Sequence, residues 1–328
     1  ADGTDLVADD IVRFMGFSDS SMNKKAVVVS STATSVTMDR TIGTSTNIVA
    51  GSRIKKVGVQ ASAGDIAATA NSITSTALDF TTLGLVVGSW IKLGGSETAT
   101  RFGTVEENNG FCRILSVDAN EMVFDIVPDG FGTDGGSGKT IELFTGEYIR
   151  NGTTRRSYSI EQRYLDTNPE VRQMFTGIVM GSWNVSLDAQ SIVTASYSTM
   201  GANSEYLDAA PTGQSYYKET LTELLNTSSN VGRIAESGAR LSGRNCIMSA
   251  TLNVDNSLRG RPCIGSIAYR DIGAGRCTVT GNLNTYFGSA VLAKKILSNE
   301  ETSIDFRVEG LDGSVVLFDL PRIKFQEG

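Results

Sequence analysis

Trp183-Asn-Val-Ser-Leu187 and Val193-Thr-Ala-Ser-Tyr197 decide the fold. Both alternate large apolar residues with small polar ones, the period-two pattern of a strand that is dry on one face and wet on the other. Asp188-Ala-Gln190 lies between them with the polar, turn-compatible residues of a tight connection, so the two stretches read as an antiparallel hairpin.

Working outward from the hairpin, Tyr158-Ser-Ile-Glu-Gln-Arg-Tyr164 alternates in the same way. Further strands are expected at Ile247–Val254, Cys277–Tyr286, Ser303–Val308 and Val315–Leu320. One helix is expected over Ser289–Leu297, with Ser289 as N-cap and Val291, Leu292, Lys295 and Ile296 turned to the sheet. Residues 201–243 are polar, small and irregular, and read as a long loop. Within it Tyr217, Leu221, Leu224 and Leu225 form either a short amphipathic helix or a loop anchor.

Residues 1–145 have a different character and contain a degenerate repeat. Asp10-Ile-Val-Arg-Phe-Met-Gly16 matches Ser89-Trp-Ile-Lys-Leu-Gly-Gly95, and 23–39 matches 109–125 without a gap, pairing Val29 with Leu115 and Asp39 with Asp125. Each unit reads strand, loop, strand, turn, strand, the pattern of a small bent β-barrel, with one unit in 1–50 and the other in 51–145. The second has an extra opening strand at Ile73–Phe80 for which the first has no room, so either the first barrel is incomplete at its N-terminus or the chain starts inside a longer protein, and the latter is expected. Glycines at 130–138 and at Gly146 mark the boundary to the third region, 146–328.

Composition narrows the chemistry. The 328 residues contain no histidine, which removes Ser-His-Asp and Cys-His machinery and most zinc sites. Net charge is −7 and no lysine- or arginine-rich run is present, so tight binding of nucleic acid is not expected. The four cysteines show no CxxC spacing and read as reduced, buried apolar residues. No apolar run is long enough to cross a membrane as a helix.

Individual candidates also read blandly. Gly273-Ala-Gly275-Arg276 lacks the spacing of a phosphate loop and reads as a turn. Arg155-Arg156 and Arg163 lie in an alternating strand next to Glu161 and Asp166, which favours intersubunit or solvated pairing over a basic patch. Asp118, Glu121 and Asp125 lack calcium-loop spacing. Aromatic residues total 7%, and Phe14, Phe17 and Trp90 are scattered rather than set as a sugar-binding platform. No catalytic, cofactor-binding or metal-binding residue is nominated.

Three stretches carry a family resemblance. Gly146 to Glu161, Phe175 to Leu187 with Ile192 to Gly201, and Gly275 to Phe287 through Leu320-Pro-Arg-Ile-Lys-Phe325 resemble, in order, the tail tube proteins of long-tailed, siphovirus-type bacteriophages. The likeness implies a mainly β chain: a tail-tube β-sandwich with one flanking α-helix in 146–328, preceded by the two barrel repeats. It implies a non-enzymatic virion protein without cofactors that is free in the host cytoplasm before assembly. It then stacks as six-fold rings into a tube through which DNA is ejected without being held.

The implied partners are further copies of the chain, a tape-measure protein in the lumen, and terminator and distal tail proteins at the ends. On this likeness Trp183, Val185 and Leu187 face the core. Asn184, Ser186, Asp188, Thr194, Ser196 and Ser198 line the channel, where small neutral or acidic side chains let DNA slide; a one-residue slip would invert the facing. The repeats are then expected to decorate the outside. A rival reading, a surface- or carbohydrate-binding adhesin built from the barrels, requires an exposed aromatic cluster in 1–145.

Overall fold

The computed structural model describes residues 5–17, 19–43, 52–150, 152–213, 216, 224–241, 246–310 and 313–326. They are mainly strand, with a single α-helix among them. The chain divides into two compact units, Ala1–Ile149 and, a short piece at 216–220 apart, Arg150–Gly328.

The first unit contains strands β1 (Asp10–Met15), β2 (Lys25–Ser31), β3 (Val36–Met38), β4 (Arg53–Gln60), β5 (Ala67–Ala68), β6 (Ser72–Thr74), β7 (Trp90–Leu93), β8 (Phe111–Val117), β9 (Glu121–Ile126) and β10 (Glu142–Thr145). They form one sheet in the order β3-β2-β1-β4-β10-β7-β8-β9-β6-β5. The repeat is visible in that order. β1, β2 and β3 correspond to β7, β8 and β9, and β4 corresponds to β10, since Phe14 faces Ile54 as Leu93 faces Leu143. Even the irregularities coincide: a bulge at Val29 in β2 is matched by one at Leu115 in β8, and each turns its aliphatic side chain to solvent.

Among the described strands no barrel closes, which corrects the sequence expectation. β4 and β10 spend their second edges on each other, with Gln60 opposite Glu142 and Gly58 opposite Phe144. Two four-stranded repeats therefore meet about a local pseudo-twofold axis and run on as one open sheet. Gly58 permits the approach, because a Cβ there would lie 2.2 Å from the Leu143 carbonyl oxygen. The opening strand expected at Ile73–Phe80 is also shorter than predicted. Ser75 Oγ accepts from the Leu78 amide at 2.7 Å, and Asp65 accepts from the Thr76 and Ala77 amides at 2.9 Å. These side chains compete with the ladder and end β6 at Thr74. Phe80, by contrast, is fully buried in the core of the second repeat with Ile91, Leu93, Ile114 and Phe124.

The second unit contains β11 (Tyr158–Tyr164), β12 (Val171–Asp188), β13 (Thr194–Met200), β14 (Asn203–Leu207), β15 (Val231–Glu236), β16 (Ala239–Arg240), β17 (Ile247–Asp255), β18 (Arg259–Arg261), β19 (Asp271–Gly273), β20 (Thr278–Thr285), α1 (Val291–Ser298), β21 (Glu301–Glu309) and β22 (Val315–Lys324). β12 is 18 residues long and serves two sets of neighbours. Its first half lies between β11 and β14, and its second half between β13 and β17, with β20 beyond β17. A second sheet runs β16-β15-β21-β22. The two sheets enclose Val185, Leu187, Ala250, Leu252, Ile304, Phe306 and Val308, so this unit is a β-sandwich.

Three strands, β14, β15 and β16, fall in the region read as a loop. β15 escaped notice because Arg233 interrupts its apolar pattern. That guanidinium is turned inward and lies 3.2 Å from the buried Asp305 carboxylate. Of the amphipathic candidates there, Leu225 packs on the sandwich core and Leu224 is exposed, while Tyr217 and Leu221 lie outside the described residues. The cysteines depart from expectation as well: all four are free, but Cys112 alone is buried, Cys246 and Cys263 being exposed.

α1 forms where expected, but Ala290 occupies the N-cap position without a side-chain cap and Val291 is exposed. Asn299, at φ 52°, closes its C-terminus. An ionic tether holds the helix: Lys295 Nζ reaches the Glu236 carboxylate and donates to Thr302 Oγ1 at 3.2 Å. Burial pushes the Glu236 carboxyl up, but hydrogen bonds from Lys295, Thr302 and Ser237 outweigh it and hold the group below the usual range. A depressed carboxyl stabilises the fold fully above its unfolded value of about 4.3, and this contribution disappears as pH falls through the folded value. Thermal unfolding should therefore show a stability loss below about pH 4. Glu236→Gln should lower the midpoint at pH 7 and flatten its decline in that acid window.

Candidate functional site

The most distinctive surface of the second unit is the outer face of the sheet β13-β12-β17-β20. Cross-strand partners in an antiparallel sheet point to the same side. The register gives the rows Ser198–Ser182–Asp255–Thr278, Ser196–Asn184–Asn253–Thr280, Thr194–Ser186–Thr251–Asn282 and Asp188–Ser249–Asn284. Every member is Ser, Thr, Asn or Asp. The intervening rows, Tyr197–Trp183–Val254–Val279 and Ala195–Val185–Leu252–Gly281, continue through Leu187–Ala250–Leu283 onto the sandwich core.

Aromatic stacking anchors the dry side. Trp183 stacks on Tyr197 and Phe318, with centroids 6.3 and 5.6 Å away, and Phe318 stacks on Phe306 at 4.5 Å. Gly281 allows β20 to approach β17, since a Cβ there would come within 2.3 Å of the Thr251 carbonyl oxygen.

All six residues singled out from the sequence, Asn184, Ser186, Asp188, Thr194, Ser196 and Ser198, lie on the polar face, opposite Val185 and Leu187. Sequence reading missed its other half, from Ser249 to Asp255 in β17 and Thr278 to Asn284 in β20. The signal was present: Ser249-Ala-Thr-Leu-Asn-Val-Asp255 alternates as strictly as the hairpin does.

On this face side chains bond mainly to their own neighbours. Ser186 Oγ donates to Asp188 Oδ2 at 2.8 Å, and Asn284 Nδ2 donates to Ser249 Oγ at 2.8 Å. The only charges in the four rows are the carboxylates of Asp188 and Asp255, and no row contains a lysine or arginine. Such a surface binds water well and gives phosphates no counter-charge.

The other sequence candidates are accounted for by structure. Gly273 to Arg276 connects β19 to β20. Arg155 pairs with Asp271 at 3.1 Å and Arg163 with Glu170 at 2.8 Å. Asp125 pairs with Arg113, and Glu121 accepts from Ser72. Among the described residues no three His, Cys, Asp or Glu side chains gather as a metal site. Phe14 is buried with Phe17 against it, so neither belongs to an exposed aromatic platform.

The two faces make opposite energetic predictions for adjacent residues. Leu187→Ala should cost about 2–5 kcal/mol through lost burial and the cavity left behind. Ser186→Ala should change stability by less than about 0.5 kcal/mol. Denaturant unfolding followed by Trp183 fluorescence, with Trp90 replaced by Phe, measures both.

No curated protein matches the chain. A family model described as phage tail tube protein matches residues 75–326. That match spans most of the chain and takes in the second repeat, the whole polar-faced sheet and the sandwich beneath it, leaving out the first repeat. The chain belongs to the phage tail tube protein family, and is a structural protein of the virion tail.

Proposed function

We propose that six copies close into a ring, that rings stack into the tail tube of a long-tailed, siphovirus-type phage, and that the polar face lines a channel for DNA ejection. One observation carries this reading: a four-stranded sheet whose outer face is wholly polar and free of cations also has two edges without a ladder. β13 and β20 pair only with β12 and β17 among the described strands, so each offers unpaired backbone to a neighbour. Their directions also suit closure. Strands alternate across β13-β12-β17-β20, so β20 of one copy meets β13 of the next antiparallel, and the pattern continues round a ring.

Six sets of four strands make a barrel of roughly 24 strands with a circumference of about 115 Å at the usual strand spacing. The backbone diameter is then about 37 Å for upright strands and about 48 Å for strands tilted by about 40°. With small side chains inside, the bore admits a nucleic-acid duplex, and the wall offers it water and two carboxylates per subunit rather than an ionic grip.

In this assembly residues 146–328 are the tube domain, and the two repeats, the first extending through β4 to Gln60 rather than ending at residue 50, decorate its exterior. A tape-measure protein occupies the lumen during assembly, and terminator and distal tail proteins close the ends. The subunit waits in the host cytoplasm before assembly and catalyses nothing. Negative-stain electron microscopy of the intact protein at high concentration tests the reading. Hollow tubes or open-centred rings of uniform width are expected. A protein that stays monomeric at every concentration, and is missing from tailed particles of its source, contradicts it.

A further inference from the structure

The first repeat contains an arrangement that costs stability. Lys25, Arg13 and Lys55 stand directly opposite one another across β2, β1 and β4, three like charges in one cross-strand row. Arg53 follows on β4, opposite Met15. Lys55 is paired with Glu147 at 2.9 Å, whereas Lys25 makes no ion pair among the described residues, its Nζ lying 4.4 Å over the Phe144 ring. Burial holds the Lys25 ammonium below its ordinary range, helped by Lys92, Arg13 and Arg40 and only partly opposed by Glu142. Lys25 and Arg53 thus present cations without a carboxylate partner among the described residues, beside two further cations, and the pair is open to an anion from outside the chain.

The chain itself carries the complement. Residues 1–60 contain seven basic and six acidic side chains, a net charge of +1, while residues 61–149 contain four and twelve, a net −8. Residues 150–328 balance at eighteen of each. Two copies of one structural repeat have thus diverged to opposite electrostatic character, and the protein's whole net charge resides in the second. Glu106 and Glu107 are exposed there, and neither is in an ion pair among the described residues.

We propose that in the assembled tube the cationic row of one subunit's first repeat docks on the acidic second repeat of a second copy, around Glu106 and Glu107. This rests on the tube reading. The contact is heterologous, so it propagates from copy to copy as the ring itself does. The ring keeps the partner at high effective concentration, so a modest electrostatic contact suffices to staple neighbours. Its main contributions are orientation and speed of association rather than raw affinity.

Light scattering of the full chain follows assembly in three forms: wild type, Lys25→Glu with Arg53→Glu, and Glu106→Lys with Glu107→Lys. Lys25→Glu places a carboxylate opposite Arg13 but also beside Glu142, so the melting curve of each variant's monomer is measured first, which separates assembly from folding. At low salt each variant alone opposes like charges and should assemble about tenfold or more slowly. An equimolar mixture restores opposite charges at every contact of an alternating ring and should recover the wild-type rate. Wild-type assembly should itself slow as salt is added.

Wild-type rates in either variant alone, or a mixture as slow as its components, would overturn the contact while leaving the tube intact. Unchanged assembly together with loss of inorganic polyphosphate binding in the first variant would assign the row to an anionic polymer instead. A wild-type chain that forms no tubes would remove the tube reading and this contact together.

Discussion

Everything distinctive about the second unit depends on one register. β12 alternates strictly from Ser182 to Asp188, and its pairing with β13 and β17 keeps Asn184 beside Ser196 and Asn253, and Val185 beside Ala195 and Leu252. Slipping any strand by one residue would carry hydroxyls and amides into the sandwich core and leucine into water. The aromatic stack of Trp183, Phe318 and Phe306 holds the dry side in place. The wet side needs only to avoid apolar bulk and positive charge. Stability falls on one face of these strands and, on the proposed reading, the channel lining falls on the other.

That division explains how much was legible in the sequence. Alternation marked the β12–β13 hairpin and runs through β17, β20 and β21, and the family likeness then picked out the six polar positions of the hairpin. What escaped depends on tertiary partners that carry no local signal. β15 reads as polar because Arg233 is buried against Asp305, a contact between strands far apart in the chain. α1 was found by its apolar spacing, but its attachment through Lys295 and Glu236 appears only once β15 is in place. The polar residues of β17 and β20 were visible as alternation, yet their place beside the hairpin depended on sheet order.

The first unit shows the same limit at larger scale. The repeat was readable from matched residues, and structure reproduces it down to the paired bulges at Val29 and Leu115. Closure was not readable, because whether a bent sheet closes on itself depends on which edge strand finds a partner first. Here β4 and β10 find each other, with Gly58 allowing the contact. Edge strands must be paired or protected. In the first unit β4 and β10 meet that demand in each other, and on the proposed reading β13 and β20 of the second unit leave it for a neighbouring copy.

The most direct test of the central claim is a helical reconstruction of the assembled tube at a resolution that separates strands. The account predicts one continuous antiparallel sheet around the lumen, β20 of each subunit bonded to β13 of the next, with Asn184, Ser196, Asn253 and Thr280 pointing inward. A lumen lined by any other surface, or a tube in which the edges of β13 and β20 remain unpaired, would contradict it.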